Sequence, residues 1–135
     1  MDIPATGEGN VYLTKEYHYA VERETVEAIS GGIDKGENKE DSAKRELKEE
    51  TGITAKEWVG LGVVDPFTSV VVSPNYLYLA KDLEFSEASP EGTENIKVIK
   101  VPMKEAIQWI MENKITHGRT VALILKAKDY LGYKD

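Results

Sequence analysis

Cysteine is absent from this 135-residue chain, which excludes a disulfide framework and thiolate metal ligation. Positive charge is scarce. Seventeen lysines and arginines stand against 24 acidic residues, a net charge of −7. That balance argues against a partner that is nucleic acid or an anionic membrane, since both are held by positive surface. It is compatible with a small phosphorylated ligand if divalent cations bridge the two negative partners. Long apolar runs are missing too, so no segment reads as a membrane span. The first ten residues, MDIPATGEGN, lack the basic start and apolar stretch of a signal peptide. A cytoplasmic location is the resulting expectation. The chain has no internal repeat and no low-complexity segment.

What is present suffices for one folded domain spanning residues 1–135. Hydrophobic residues make up 41% and charged residues 30%, a globular composition with enough apolar surface for a core. A short extended piece is expected at Asp2–Thr6, then a turn at GEGN. Val11–Leu13 and Glu16–Glu22 read as strand, with Tyr17, Tyr19 and Val21 on one face, and Thr25–Ile29 as another. A loop, SGGIDKGEN, leads to a helix capped by Asn38 or Asp41 and stopped by Gly52 after Thr51. Val59–Val64 and Tyr76–Phe85 read as strands around the loop DPFTSVVVSPN. The segment SEASPEGTEN is an acidic loop before a strand at Ile96–Val101. Pro102 opens a helix whose apolar side includes Ala106, Ile107, Ile110 and Met111. A last helix runs from about Arg119 or Thr120 to Leu131, with Val121, Ile124, Leu125 and Lys128 on one face. The order of strands and helices predicts an α/β/α sandwich around a mixed β-sheet.

The chemistry concentrates in one segment. Gly31 is followed after five residues by Glu37, and after seven more by Arg45, Glu46 and Leu47. Glu49, Glu50, Gly52 and Ile53 complete the run. On a helix, Glu46 repels Glu50 across i,i+4 and Glu49 across i,i+3. Three carboxylates crowded on one side offer the hard oxygen ligands that Mg²⁺ takes, with substrate phosphates completing the shell. Arg45 keeps its charge and can pair with Glu37, bracing the loop against the helix. Leu47 and Ala43 then face the core and fix the helix rotation. The competing reading is a merely solvated, charged helix. Seven specified positions match by chance on the order of 10⁻⁸ per start point, which decides against it.

This segment is the full Nudix box, GX5EX7REUXEEXGU with U aliphatic, and the chain resembles the Nudix hydrolases over about residues 2–131. The resemblance implies hydrolysis of a nucleoside diphosphate linked to another moiety, with Mg²⁺ or Mn²⁺. It implies Glu46 and Glu50 as principal metal ligands, Glu49 as a further ligand or water-holding group, and the Ser30 carbonyl as another ligand. A narrower likeness is to the ADP-ribose pyrophosphatase branch, carried by YHYAVERETVEAISGGIDKGE. Glu27 and Gly31 match that branch; Ile29 stands where it has proline and His18 where it has an arginine that recognises substrate. His18, Arg23, Glu27 and Gly31 are therefore the substrate-binding candidates, with Glu37 and Gly52 structural. The acidic loop EGTENIKV matches the place of a catalytic or metal-binding glutamate, with Glu94 aligning best and Glu91 second. Arg45 and Glu49 join them as catalytic candidates. The branch also implies a homodimer and an N-terminal strand region that helps to build the dimer and the adenine site; that region is one this chain is expected to lack.

Three functions follow. The leading one is cleavage of ADP-ribose or a related nucleoside diphosphate sugar. The second is another Nudix specificity, for a nucleoside triphosphate or a dinucleoside polyphosphate. The third is a silent binding module, which the intact carboxylates disfavour. His18 reads as a packing or surface group with phosphate contact as the alternative, and His117 as a turn residue or cap. Tyr17, Tyr19, Phe67 and Tyr76 are candidates to stack on a base, although aromatics at strand spacing belong more often to the core. Trp58 and Trp109 read as core or interface anchors.

Overall fold

The computed structural model describes residues 1–30, 36–87 and 96–133. Six strands and three helices follow one another among these residues. They are β1 (Asp2–Pro4), β2 (Asn10–His18), β3 (Arg23–Glu27), α1 (Lys39–Thr51), β4 (Ile53–Val64), β5 (Asn75–Phe85), β6 (Lys97–Pro102), α2 (Met103–Met111) and α3 (Gly118–Leu131).

The predicted mixed sheet is present, in the order β1-β5-β4. β1 runs parallel to β5 with Ile3 opposite Leu79, and β4 is antiparallel to β5. A second, antiparallel sheet has the order β3-β2-β6. Single bridges from Asp2 to Ile29 and from Ala5 to Val11 tie the two together.

Alternation along β5 explains the layers. Leu77 and Leu79 point into the larger core with Ile3, Leu13, Leu123 and Ile124. Ala80 points the other way, into a smaller cluster with Ile29, Leu47 and Ile53. α1 thus covers one face and α3 the other, giving the α/β/α sandwich. Leu47 is 0% exposed, so it and the buried Ala43 set the rotation of α1 as the sequence requires. Asn38 caps α1 through its side-chain oxygen, which accepts from the Asp41 amide at 2.8 Å. Gly52 ends it in the left-handed region at φ 75°, donating its amide to Lys48.

Four expectations are corrected. The strand read at Glu16–Glu22 stops at His18 and turns back into β3. Glu22 takes a φ of 54° in that turn, and Tyr19 is 81% exposed. β4 begins at Ile53, six residues before the expected Val59, because its first half pairs with the end of β5. Met111 is 75% exposed, since α2 ends there and Ile115 fills the core beside it. On α3 the buried face is Thr120, Leu123, Ile124 and Ala127, so Leu125 faces outward.

Candidate active site

α1 begins beyond the glycine-containing loop and presents its glutamates from successive turns. Arg45 gathers them. Its Nε donates to Glu37 Oε2 at 3.0 Å and its Nη2 to Glu37 Oε1 at 3.0 Å. Its Nη1 donates to Glu46 Oε1 at 2.9 Å and to Glu49 Oε2 at 3.1 Å. Ser42 Oγ adds a 2.6 Å bond to Glu37 Oε1. The guanidinium thus spans three carboxylates; the pair with Glu37 is the one expected from the sequence, and the bonds to Glu46 and Glu49 are added by the fold.

Glu50 sits on the same side. Partial burial raises its pKa, and the charges of Glu46, Glu16 and Glu49 raise it further. Glu16, on β2, was missed by the sequence reading; nothing in the box points to a residue thirty positions upstream. Among the described residues no three His, Cys, Asp or Glu side chains already converge as a metal cage. The donor chemistry nevertheless fits a hard divalent cation: three carboxylates on one helix face whose mutual repulsion a cation would relieve. Glu46, Glu49 and Glu50 are the residues that would hold it.

Beside this face lies a cavity of about 100 Å³, lined by Asp2, Lys39, Ser42, Glu46, Asn75 and Tyr76 among others. Asp2 is buried, and its Oδ2 has no hydrogen-bond partner among the described residues. Burial pushes its pKa up to about 7, opposed by the neighbouring terminal amine and assisted by Glu46. Lys39 Nζ lies 3.7 Å from the Tyr76 ring centre.

Of the substrate-binding candidates, His18 and Glu27 form a second cluster together with His117. Glu27 Oε2 lies 2.9 Å from His18 Nε2 and accepts from Thr25 Oγ1 at 2.6 Å. Glu27 Oε1 lies 3.5 Å from His117 Nε2. Glu16 Oε2 lies 3.6 Å from His18 Nε2, linking this cluster to the acidic face. Arg23 Nη2 donates to Thr116 Oγ1 at 2.8 Å. His117 caps α3, its side chain accepting from the Thr120 amide. Its pKa is lowered by burial and by Arg119 and His18, against the pull of Glu27. Arg119 was not singled out in the sequence. Its Nη1 donates to Asn75 Oδ1 at 2.8 Å across 44 residues, a contact only the fold can create. Ser30 is the last described residue before the loop, next to the Asp2–Ile29 bridge. Gly31, Glu91 and Glu94 lie outside the described residues.

The NUDIX domain family model matches residues 3–123. The chain belongs to the Nudix family. Nudix hydrolases are pyrophosphatases, and the enzyme class of this chain is therefore set. The chain is 31% identical to a methanol dehydrogenase activator of Bacillus methanolicus, over 98% of its own length and 74% of that protein. It is 29% identical to an ADP-ribose pyrophosphatase of Bacillus subtilis, over 90% of its length and 67% of the relative. An ADP-ribose pyrophosphatase of Haemophilus influenzae is 35% identical over 71% of the chain, which spans only 46% of that protein. The crystal structure of an ADP compounds hydrolase superposes with a TM-score of 0.86 at 22% identity, covering 97% of the chain and 71% of that structure, and shows the Nudix fold. No helix among the described residues is long and apolar enough to cross a membrane.

Proposed function

We propose that this Nudix pyrophosphohydrolase cleaves the pyrophosphate of ADP-ribose, releasing AMP and ribose 5-phosphate, or that of a related nucleoside diphosphate sugar. The carrying observation is the Glu46–Glu49–Glu50 face, braced by Arg45 on Glu37 and opening beside the Asn75 cavity. The names of relatives at about 30% identity, ADP-ribose pyrophosphatase among them, support the choice of substrate.

Glu46, Glu49, Glu50 and the Ser30 carbonyl would hold Mg²⁺ or Mn²⁺, which would supply charge neutralisation at the pyrophosphate and a more acidic bound water. The chain does the rest. Glu94, or Glu91 as the second choice, takes the proton of the attacking water. The new bond forms from water oxygen to one phosphorus, and the bond to the bridging oxygen breaks, leaving the second phosphate. Arg45 keeps Glu46 and Glu49 in place and does not touch the reacting atoms. Arg23 and the His18–Glu27 pair orient the sugar phosphate where the branch uses an arginine. A homodimer and a cytoplasmic location belong to the same reading, and the outward-facing Val70, Val71 and Val72 provide apolar surface for a second copy.

The test is a panel of ADP-ribose, two other nucleoside diphosphate sugars, a dinucleoside polyphosphate and dGTP, with products identified by mass. AMP and ribose 5-phosphate from ADP-ribose at the highest kcat/KM bear the proposal out. Preference for dGTP or the dinucleoside polyphosphate keeps the pyrophosphatase and discards this substrate.

A further inference from the structure

Aspartate is depleted in strands and almost never fully buried without a partner. Asp2 breaks both rules: it opens β1 and is 1% exposed. Its neighbour Ile3 faces the larger core, so alternation turns the Asp2 side chain to the opposite side of the sheet, toward Ser42 and Glu46 of α1. The backbone fixes it there. The Asp2 amide donates to the Ile29 carbonyl at 2.7 Å, and the Ile29 amide donates to the Asp2 carbonyl at 3.0 Å. The residue is thus tied to the strand end that leads into Ser30.

A carboxylate withdrawn from water needs hydrogen bonds or a counter-charge, because an isolated one is among the costliest groups to bury. Asp2 has little of either. Its Oδ1 lies 4.0 Å from the terminal amine of Met1, which donates to the Tyr76 carbonyl at 2.9 Å. Its Oδ2 has no partner among the described residues. Lys39 stands in the same walls, but its Nζ lies over the Tyr76 ring, 3.7 Å from the centre. What Asp2 meets is the cavity of about 100 Å³, which Glu46 lines from the other side. Arg45 takes one oxygen of Glu46, Oε1 at 2.9 Å, and leaves the second for another contact.

We propose that a divalent cation, Mg²⁺ or Mn²⁺, binds in this cavity between Asp2 and Glu46, separate from any ion on Glu49 and Glu50. The inference deepens the proposed function and rests on it for the choice of cation. Among the described residues the lining holds neither histidine nor cysteine, so its donors are hard oxygens, which suit these ions. Mg²⁺ accepts one or two carboxylates and keeps several waters. The space holds a few waters, each taking about 30 Å³ in the liquid. A cation there satisfies the orphaned Asp2 oxygen and relieves the repulsion between Asp2 and Glu46. It makes Asp2 a metal-binding residue that lies outside the box and joins β1 to α1.

The test counts Mn²⁺ bound per chain, without substrate, from the electron paramagnetic resonance of the free ion. Mildly alkaline buffer keeps protons from competing for the ligands. Asp2→Asn keeps the shape of the side chain and removes its charge. Glu49→Gln alters a box glutamate that does not line the cavity. Wild type should bind one Mn²⁺ more than Asp2→Asn, and Glu49→Gln should keep the ion that Asp2→Asn loses. Equal counts in wild type and Asp2→Asn would overturn the proposal, and loss of every ion in Asp2→Asn would overturn a separate site. Anomalous diffraction from wild-type crystals soaked in Mn²⁺ reads the same site without a variant. A peak touching Asp2 and Glu46 is expected; peaks confined to Glu49 and Glu50 would overturn it. The two readings fail separately. An Asp2-dependent ion without hydrolysis of ADP-ribose sinks the proposed reaction and keeps the cation; ADP-ribose hydrolysis with an unchanged Mn²⁺ count does the reverse.

Discussion

Replacing Arg45 with methionine keeps most of the apolar stem and removes the charge that spans Glu37, Glu46 and Glu49. The arginine side chain is 27% exposed and Glu37 is 20% exposed, so their fork is mostly withdrawn from water. One such pair at about 4 Å is worth roughly 4 kcal/mol at an effective dielectric of 20, before the cost of desolvating both groups. Desolvation offsets much of that, leaving about 2 kcal/mol, between the values for exposed and for buried pairs. The contacts to Glu46 and Glu49 add roughly 1 kcal/mol together, Glu49 least because it is 42% exposed. A loss of about 3 kcal/mol in a chain of this length lowers Tm by about 10 °C. Thermal unfolding by circular dichroism in low salt and EDTA reads this directly. Millimolar Mg²⁺ should recover part of the loss, because a cation among the carboxylates takes over the role of the missing guanidinium. The Glu37→Gln, Arg45→Met double variant should lose little beyond the single one. A fall under 3 °C, or two single losses that simply add, would refute the idea that Arg45 and Glu37 act as one brace.

Three smaller perturbations test the frame around the site. Thr120 is buried and its Oγ1 accepts from the Ala28 amide at 3.0 Å, so Thr120→Val strands that amide and should cost about 1–3 kcal/mol in urea unfolding. Gly52→Ala forces a side chain into the left-handed cap of α1 and should cost about 1 kcal/mol on the same scale. Burial holds the folded pKa of His117 below the 6.5 usual for histidine, so the unfolded chain binds the extra proton first. Stability contributed by neutral His117 is therefore present above pH 6.5 and falls as the pH drops below it. His117→Asn keeps a capping oxygen and should flatten that slope in unfolding curves taken between pH 7.5 and 5.5.

The region richest in local rules was the most legible. Asn38, the box and Gly52 mark both ends of α1, and charge pairing alone predicts the Arg45–Glu37 brace. The errors arise where local rules are silent or misleading. The β2–β3 turn contains no glycine or proline, and the alternation of Tyr17, Tyr19 and Val21 runs straight through it. After Ile53 and Thr54, β4 runs through Ala55, Lys56 and Glu57, residues whose strand conformation comes from pairing with β5 and not from their own preference. Met111 and Leu125 continue apolar helical patterns beyond what the core can cover. The charge of Glu16 acting on Glu50, and the bond of Arg119 to Asn75, join positions far apart in sequence, which no spacing pattern encodes.

The central claim is that the crowded glutamates of α1 serve a metal-assisted cleavage of a pyrophosphate. The most direct measurement is AMP release from ADP-ribose, followed by chromatography, for wild type and Glu50→Gln with Mg²⁺ and with EDTA. The account predicts turnover by wild type with Mg²⁺, none in EDTA, and a fall of at least about a hundredfold in the variant, on the order of 3 kcal/mol in the barrier. Full Mg²⁺-dependent turnover by Glu50→Gln, or undiminished release in EDTA, would contradict it.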